Sequence, residues 1–173
     1  RIRREDDDPV FIDALEDPDP VVRRTAAGIL GGVRLARVVA PLLRRVADPD
    51  ASVRETVSAA LLKIDDPGML GPLVPYLASA DDKISGPAWA LAADFCRDDP
   101  ERPRALLRAV LDSPDAAQRA AVVRHFYDAP LHPYPREEMI RFLRDADPAA
   151  RSAAARGLGK WKIREAVPAL LPL

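Results

Sequence analysis

Apolar residues recur along this chain at a fixed set of offsets, and the pattern returns in successive copies. Counted from an aspartate taken as position zero, the apolar residues lie at +3, +7, +10, +11 and +14. In the copy that begins at Asp50, they are Val53, Val57, Ala60, Leu61 and Ile64. These offsets trace one face of a helix with 3.6 residues per turn, so each copy is predicted to contain an amphipathic helix.

The aspartates that precede these helices mark a repeat. They are Asp19, Asp50, Asp81, Asp115 and Asp147, at intervals of 31, 31, 34 and 32 residues. Recurrence at this spacing is typical of a solenoid built from stacked helix pairs. We predict that each aspartate is an N-cap, because its carboxylate can accept hydrogen bonds from the first backbone N–H groups of the helix.

Arginine follows at +4 in four of the five copies. The arginines are Arg23, Arg54, Arg119 and Arg151, whereas the third copy has Ser85 at this position. Each arginine can pair with the aspartate of its own copy or with that of the adjacent copy. We therefore predict that these aspartates and arginines hold the turns together and do not form an active site.

A shorter apolar segment precedes each amphipathic helix, which predicts units of a first helix, a tight turn and a second helix. The units cover residues 9–33, 37–64, 69–96, 103–128 and 136–161, with a partial sixth at 165–173. No segment shows the alternation of a strand. We predict an all-α fold in which residues 1–173 form a single right-handed α-solenoid.

The repeated unit resembles HEAT repeats, most closely the short bacterial kind called phycobilisome-lyase-type HEAT-like repeats. The resemblance rests on the Asp-Pro-Asp turns at 17–19 and 48–50, the Val-Arg pairs at 22–23 and 53–54, and the small-residue helix ends at 30–32 and 158–160. It implies that the second helices line a concave face and that the turn aspartates and helix arginines are structural.

Composition excludes some classes of function. The formal net charge of −1 argues against a general nucleic-acid binder, which would carry a strongly basic balance. Cys96 is the single cysteine, which leaves no internal disulfide framework and predicts a reducing, cytoplasmic location. No apolar run approaches the roughly 18 residues of a membrane span. The frequent Arg, Ala, Pro and Asp indicate a GC-rich bacterial source.

Candidate chemical groups are few. His125 and His132 are the two histidines, and neither has a metal-ligand partner at helical spacing. The glycines at 28, 31 and 32 lie at a helix C-terminus, whereas a phosphate cradle needs the N-terminal end. Cys96 ends an apolar helix and is expected in the core. We predict a non-catalytic protein with no cofactor or metal.

Departures from the repeat suggest where a partner binds. Trp89 lies at +8, after Gly86 and Pro87, where other copies have small residues. The fourth copy has His125 at the normally apolar +10 position, followed by an aromatic, Pro-rich connection at 127–135. Drift for Trp89 and a hydrogen-bonded structural role for His125 are the plain alternatives.

The positions +5, +8, +9 and +12 flank the apolar stripe and should face the groove. Their large or charged residues, our candidate partner-binding set, are Arg24, Glu55, Trp89, Arg124, Tyr127 and Arg156. Such side chains among small neighbours suit a protein or peptide segment, so we predict a scaffold or adaptor; a merely solvated face is the plain alternative.

Two other functions stay open at this point, a nucleic-acid-binding protein of the DNA glycosylase type and a chromophore-lyase subunit or chaperone. Both come from the resemblance. The apolar segment at 165–173 would leave a helix face uncovered. We therefore expect the C-terminal end to continue or to be capped by another domain or chain.

Overall fold

The computed structural model of the chain describes residues 8–33, 35–129, 131 and 134–163, and within these ranges it contains helices and no strand. The helices are α1 (Asp8–Asp13), α2 (Pro20–Gly31), α3 (Val39–Leu43), α4 (Ala51–Ile64), α5 (Leu70–Leu77), α6 (Asp82–Cys96), α7 (Glu101–Leu111), α8 (Ala116–Phe126), α9 (Arg136–Phe142) and α10 (Pro148–Lys160). Short 3₁₀ turns add Ala14–Glu16, Ala36–Val38 and Pro67–Met69. The predicted all-α fold is confirmed.

The chain forms two compact units, Arg1–Pro72 and Leu73–Leu173. In the first unit the second helices α2 and α4 pack directly against each other, and α1 and α3 pack against α2 and α4 respectively. In the second unit α8 packs against α10, and the first helices α7 and α9 contact each other and their own second helices. The single solenoid over residues 1–173 stays a prediction, and the partial sixth repeat at 165–173 lies outside the described residues.

Each second helix begins after an aspartate whose carboxylate accepts from the first turn. Distances from the carboxylate oxygen to the nearest backbone nitrogen are 2.8 Å at Asp19, 2.8 Å at Asp50, 2.9 Å at Asp81, 2.8 Å at Asp115 and 2.9 Å at Asp147. Pro20 and Pro148 occupy the first helical position, where a missing N–H breaks no helical hydrogen bond. These caps fix where each second helix starts and therefore the register of its apolar stripe.

The core consists of the +7 and +11 residues of the second helices together with the first helices. Each of these residues is at most 2% exposed; they are Ala26, Leu30, Val57, Leu61, Ala88, Ala92, Val122, Phe126, Ala154 and Leu158. Cys96 is also buried, and burial raises the pKa of its thiol to about 12, so the thiol is protonated at neutral pH.

A core truncation tests this inward face. Leu61 in α4 is completely buried, so Leu61→Ala should lower the free energy of unfolding by about 2–5 kcal/mol through lost burial and a new cavity. Urea unfolding followed by circular dichroism measures the change. Lys63→Ala, at an exposed position of the same helix, is the control and should change stability by less than about 0.5 kcal/mol. Equal effects of the two substitutions would contradict the assignment.

Candidate functional site

In the first unit, Arg23 joins two consecutive repeats. Its Nε donates to Asp48 Oδ2 at 2.9 Å and its Nη2 donates to Asp48 Oδ1 at 2.7 Å. Its Nη1 donates to the carbonyls of Asp17 and Pro18 at 2.9 and 3.0 Å. One guanidinium therefore closes the turn of its own repeat and grips the carboxylate of the next.

The same geometry recurs in the second unit. Arg119 Nε and Nη2 donate to the two carboxylate oxygens of Asp145 at 2.8 and 2.9 Å, and its Nη1 donates to Ser113 O at 2.8 Å. We call this arrangement the inter-repeat clamp: arginine at +4 with the aspartate at −2 of the following repeat. The sequence suggested an aspartate of the same or the adjacent copy as partner. In the structure the partner belongs to the adjacent copy, but it is the aspartate two residues before the capping aspartate.

The clamp carboxylates are electrostatically stabilised. Burial alone would raise the pKa of Asp48, but hydrogen bonds from Arg23 and from the Asp50 N–H, with the charges of Arg23 and Arg45, lower the pKa below its ordinary value. At Asp145 the hydrogen bond from Arg119 is the largest cause of a pKa that is again lowered. Both carboxylates are therefore charged in the folded protein at neutral pH.

Two of the four +4 arginines form no clamp within the described residues. Arg54 Nη1 donates to Asp48 O and Pro49 O, and the −2 position of the third repeat is Ser79. Arg151 Nη1 donates to Asp145 O and Ala146 O in the same way. These arginines close their own turns without gripping a carboxylate.

The candidate partner-binding residues divide between the two units. Arg24 and Glu55 are exposed in the first unit. Arg124 and Arg156 are exposed in the second, where both lie at +9 on neighbouring helices. Trp89 and Tyr127 are half-buried. Both side chains contact other residues of the second unit.

Trp89 is held by its own unit. Its indole Nε1 donates to Leu77 O at 3.2 Å, and its ring centroid lies 6.3 Å from those of His125 and Phe126, edge-on to the latter. His125 is exposed at the normally apolar +10 position, with Nδ1 3.0 Å from Ala121 O. The ring thus helps to pack repeats three and four together, and its role as a partner anchor stays a prediction.

Tyr127 is supported from below by a glycine. A Cβ at Gly157 would lie 3.2 Å from Tyr127 Cβ, so a larger residue at position 157 would push the tyrosine away. Lys160 Nζ lies 5.2 Å from the centre of the Tyr127 ring and pairs with Asp128, and this hydrogen bond raises the pKa of Lys160. Lys160 and Asp128 largely neutralise each other beside the ring.

The Pro-rich connection is described only in part. Tyr134 stacks on Trp161 with ring centroids 4.2 Å apart. Leu131 is buried, and Pro130, His132 and Pro133 lie outside the described residues. The prediction that residues 127–135 contact a partner therefore stays a prediction.

The described residues show neither a metal-binding cluster nor a membrane-spanning helix. The described residues contain no group of three or more His, Cys, Asp or Glu side chains placed to hold a metal ion. Over the described helices, none combines the length and the apolar character that crossing a bilayer requires.

One known family matches part of the chain that contains these caps and the first clamp. The segment 9–92 matches the family described as HEAT repeats. The matched residues include most of α1, all of α2 to α5 and most of α6, and the fourth and fifth repeats have the same cap and clamp as this segment.

Designed proteins are among the solved structures that are similar to this chain. An engineered protein of the Northeast Structural Genomics Consortium has a TM-score of 0.41 and 19% identity over 96% of this chain and 84% of its own. A designed armadillo repeat protein in complex with the peptide (KR)4 has a TM-score of 0.40 and 17% identity over 95% and 90%. No curated protein matches this chain.

The clamp makes a matched pair of substitutions informative. Arg23→Ala leaves the buried Asp48 carboxylate without its partner and should lower the free energy of unfolding by about 3 kcal/mol. Arg54→Ala removes only two hydrogen bonds to turn carbonyls and should cost about 1 kcal/mol. Urea unfolding measures both. Similar losses for the two variants would show that the carboxylate contact adds nothing.

Acid should weaken the same contact. The pKa of Asp48 is lower in the folded state than the ordinary value of about 3.9, so between these values the unfolded state binds more protons. The stabilisation is complete above about pH 4 and is lost as the pH falls through the folded pKa. Urea unfolding at a series of pH values should show a smaller acid loss in Asp48→Asn than in wild type. An unchanged slope would contradict this origin.

Proposed function

We propose that this chain is a HEAT-repeat protein and a non-catalytic scaffold that binds an acidic protein or peptide segment on the exposed face of α8 and α10. The observation that carries the proposal is the absence of acidic residues from both helices. The segments 116–126 and 148–160 contain no Asp or Glu. Their charged residues, besides His125, are Arg119, Arg124, Arg151, Arg156 and Lys160.

The geometry supports a shared binding face on these two helices. α8 and α10 pack directly against each other, and Tyr127 lies over Gly157 at their junction. Arg124 and Arg156 occupy the same +9 register and are both exposed. Two forked donors one repeat apart can hold successive carboxylates of an extended segment, because a guanidinium binds a carboxylate through two parallel hydrogen bonds.

Only part of the positive charge of this face is cancelled by local ion pairs. Arg119 pairs with Asp145, and Lys160 pairs with Asp128. Arg124 and Arg156 have neither an ion pair nor a hydrogen-bonded carboxylate among the described side chains. A face with two unpaired cations above small residues favours an anionic partner by charge complementarity.

Nucleic acid is the other polyanion that such a face could attract. The formal net charge of −1 and the small number of exposed arginines disfavour it. The chromophore-lyase function and the phycobilisome-lyase-type subfamily stay predictions, as do the absence of catalysis, the bacterial source and the cytoplasmic location. Arg24, Glu55 and Trp89 stay candidate contacts without a role in this proposal.

Fluorescence anisotropy with labelled peptides tests the proposal. A peptide of alternating Glu and Leu should bind, and a matching peptide of alternating Lys and Leu should not. Replacing Arg124 and Arg156 together by Glu should weaken binding of the acidic peptide by about tenfold or more, because carboxylates would then face carboxylates. Rising salt should also weaken binding by wild type.

The second unit provides a control with the same change in charge. Arg141 in α9 and Arg144 after it are exposed on the first-helix side, so replacing both by Glu should leave binding unchanged. If both double variants lost the same affinity for the acidic peptide, the effect would come from net charge alone. That result would contradict a defined binding face. A labelled single-stranded DNA that binds more tightly than the acidic peptide would favour nucleic acid instead.

A further inference from the structure

The two junctions that contain a clamp, between repeats one and two and between repeats four and five, follow one rule of register. The clamp joins +4 of one repeat to −2 of the next, as in Arg23 with Asp48 and Arg119 with Asp145. The +12 residue of one repeat also touches the +10 residue of the next. A Cβ on Gly31 would lie 2.6 Å from Ala60 Cβ, and one on Gly157 would lie 3.2 Å from Tyr127 Cβ.

The first repeat carries the receiving half of such a junction. Its −2 residue, Asp17, accepts from Asp19 N at 2.8 Å, and no arginine reaches its carboxylate within the described residues. Asp17 is half-buried, so the carboxylate can be reached from solvent.

The first repeat also has an apolar cleft of about 210 Å³. The residues that line it are Phe11, Ala14, Val21, Val22, Thr25, Ala26 and Ile29. Val21 and Val22 are 55% and 37% exposed, whereas Val53, which has the register of Val22 in the second repeat, is completely buried. The cleft therefore lies on the face that, one repeat later, packs against the preceding repeat.

The fifth repeat carries the donating half. Arg151 uses Nη1 to close its own turn, and its Nε and Nη2 have no hydrogen-bond partner among the described residues. These are the two nitrogens that grip a carboxylate in Arg23 and Arg119. Gly159 lies at +12, the register of Gly31, and a Cβ there would have nothing within 4 Å.

We propose that the fifth repeat of one copy docks on the first repeat of a second copy, with Arg151 clamping Asp17 of that copy. Asp17 and Arg151 are opposite in charge, and they occupy the registers of the acceptor and the donor in the two clamps already formed within the chain. The apolar cleft would receive the small-residue end of α10 around Gly159. The contact is heterologous, so it can repeat and build assemblies longer than a dimer.

Sedimentation equilibrium of the full chain tests this head-to-tail contact. The weight-average mass of wild type should rise above 18.9 kDa with protein concentration up to about 1 mM, a range in which even a millimolar dissociation constant is detectable. Asp17→Arg alone and Arg151→Asp alone should each weaken association by about tenfold or more, because like charges would then meet.

Mixing the two single variants provides the decisive measurement. The Arg151 end of one variant meets the unchanged Asp17 of the other, and the two substituted residues form a reversed pair. The mixture should therefore regain concentration-dependent association, which misfolded variants could not do. Arg151→Lys keeps the charge but loses the fork and should fall between wild type and Arg151→Asp.

Exposed residues that occupy neither clamp register provide the controls. Arg141→Asp and Asp112→Arg make the same changes in charge and should associate as wild type does. The proposal is overturned if wild type remains a monomer over the whole range. It is also overturned if either single variant associates like wild type, or if the mixture stays monomeric while each variant retains its helical circular dichroism.

Discussion

The fork of an arginine joins the first repeat to the second and the fourth repeat to the fifth. In each clamp, one guanidinium nitrogen donates a hydrogen bond to the backbone of its own turn, and the other two nitrogens donate to the carboxylate of the following repeat. Local and inter-repeat order are therefore fixed by the same side chain. Because the carboxylate is largely removed from water, its contribution depends on that one partner, and a lysine could not reproduce the planar geometry. Helix packing around Gly31 and Gly157 follows the register that the clamp defines.

The sequence allowed a correct prediction of the helices, because their signals are local. An aspartate followed by a stripe of apolar residues specifies where a helix starts and which face is buried, as Asp50 and Leu61 illustrate. The partner of Arg23 was harder to predict, since Asp48 lies 25 residues away and takes no part in the cap. The recurrence of aspartate at 17, 48 and 145 was the available signal. The contacts of Trp89 depend on the carbonyl of Leu77, which no sequence pattern reports.

The candidate binding face shows why function is less visible than fold. Arg124 and Arg156 can be recognised as one candidate binding site only when α8 and α10 are known to be neighbours. The two helices, which both lack acidic residues, then form a single positively charged surface. From its position at +12, Tyr127 was predicted to face the groove and to contact a partner. In the structure Gly157 lies under its ring and Lys160 lies over it, so the tyrosine belongs partly to the repeat interface.

The paired residues at the junctions also restrict how the repeats can be rearranged. Gly31 faces Ala60, whereas the much larger Tyr127 faces Gly157. A repeat carrying alanine at +10 could not follow one that ends in tyrosine without moving the helices apart, although both are members of the same series. The volumes of the two side chains at each of these junctions therefore restrict which repeat can follow which. If single repeats were shuffled or duplicated, both residues of a pair would have to be transferred together.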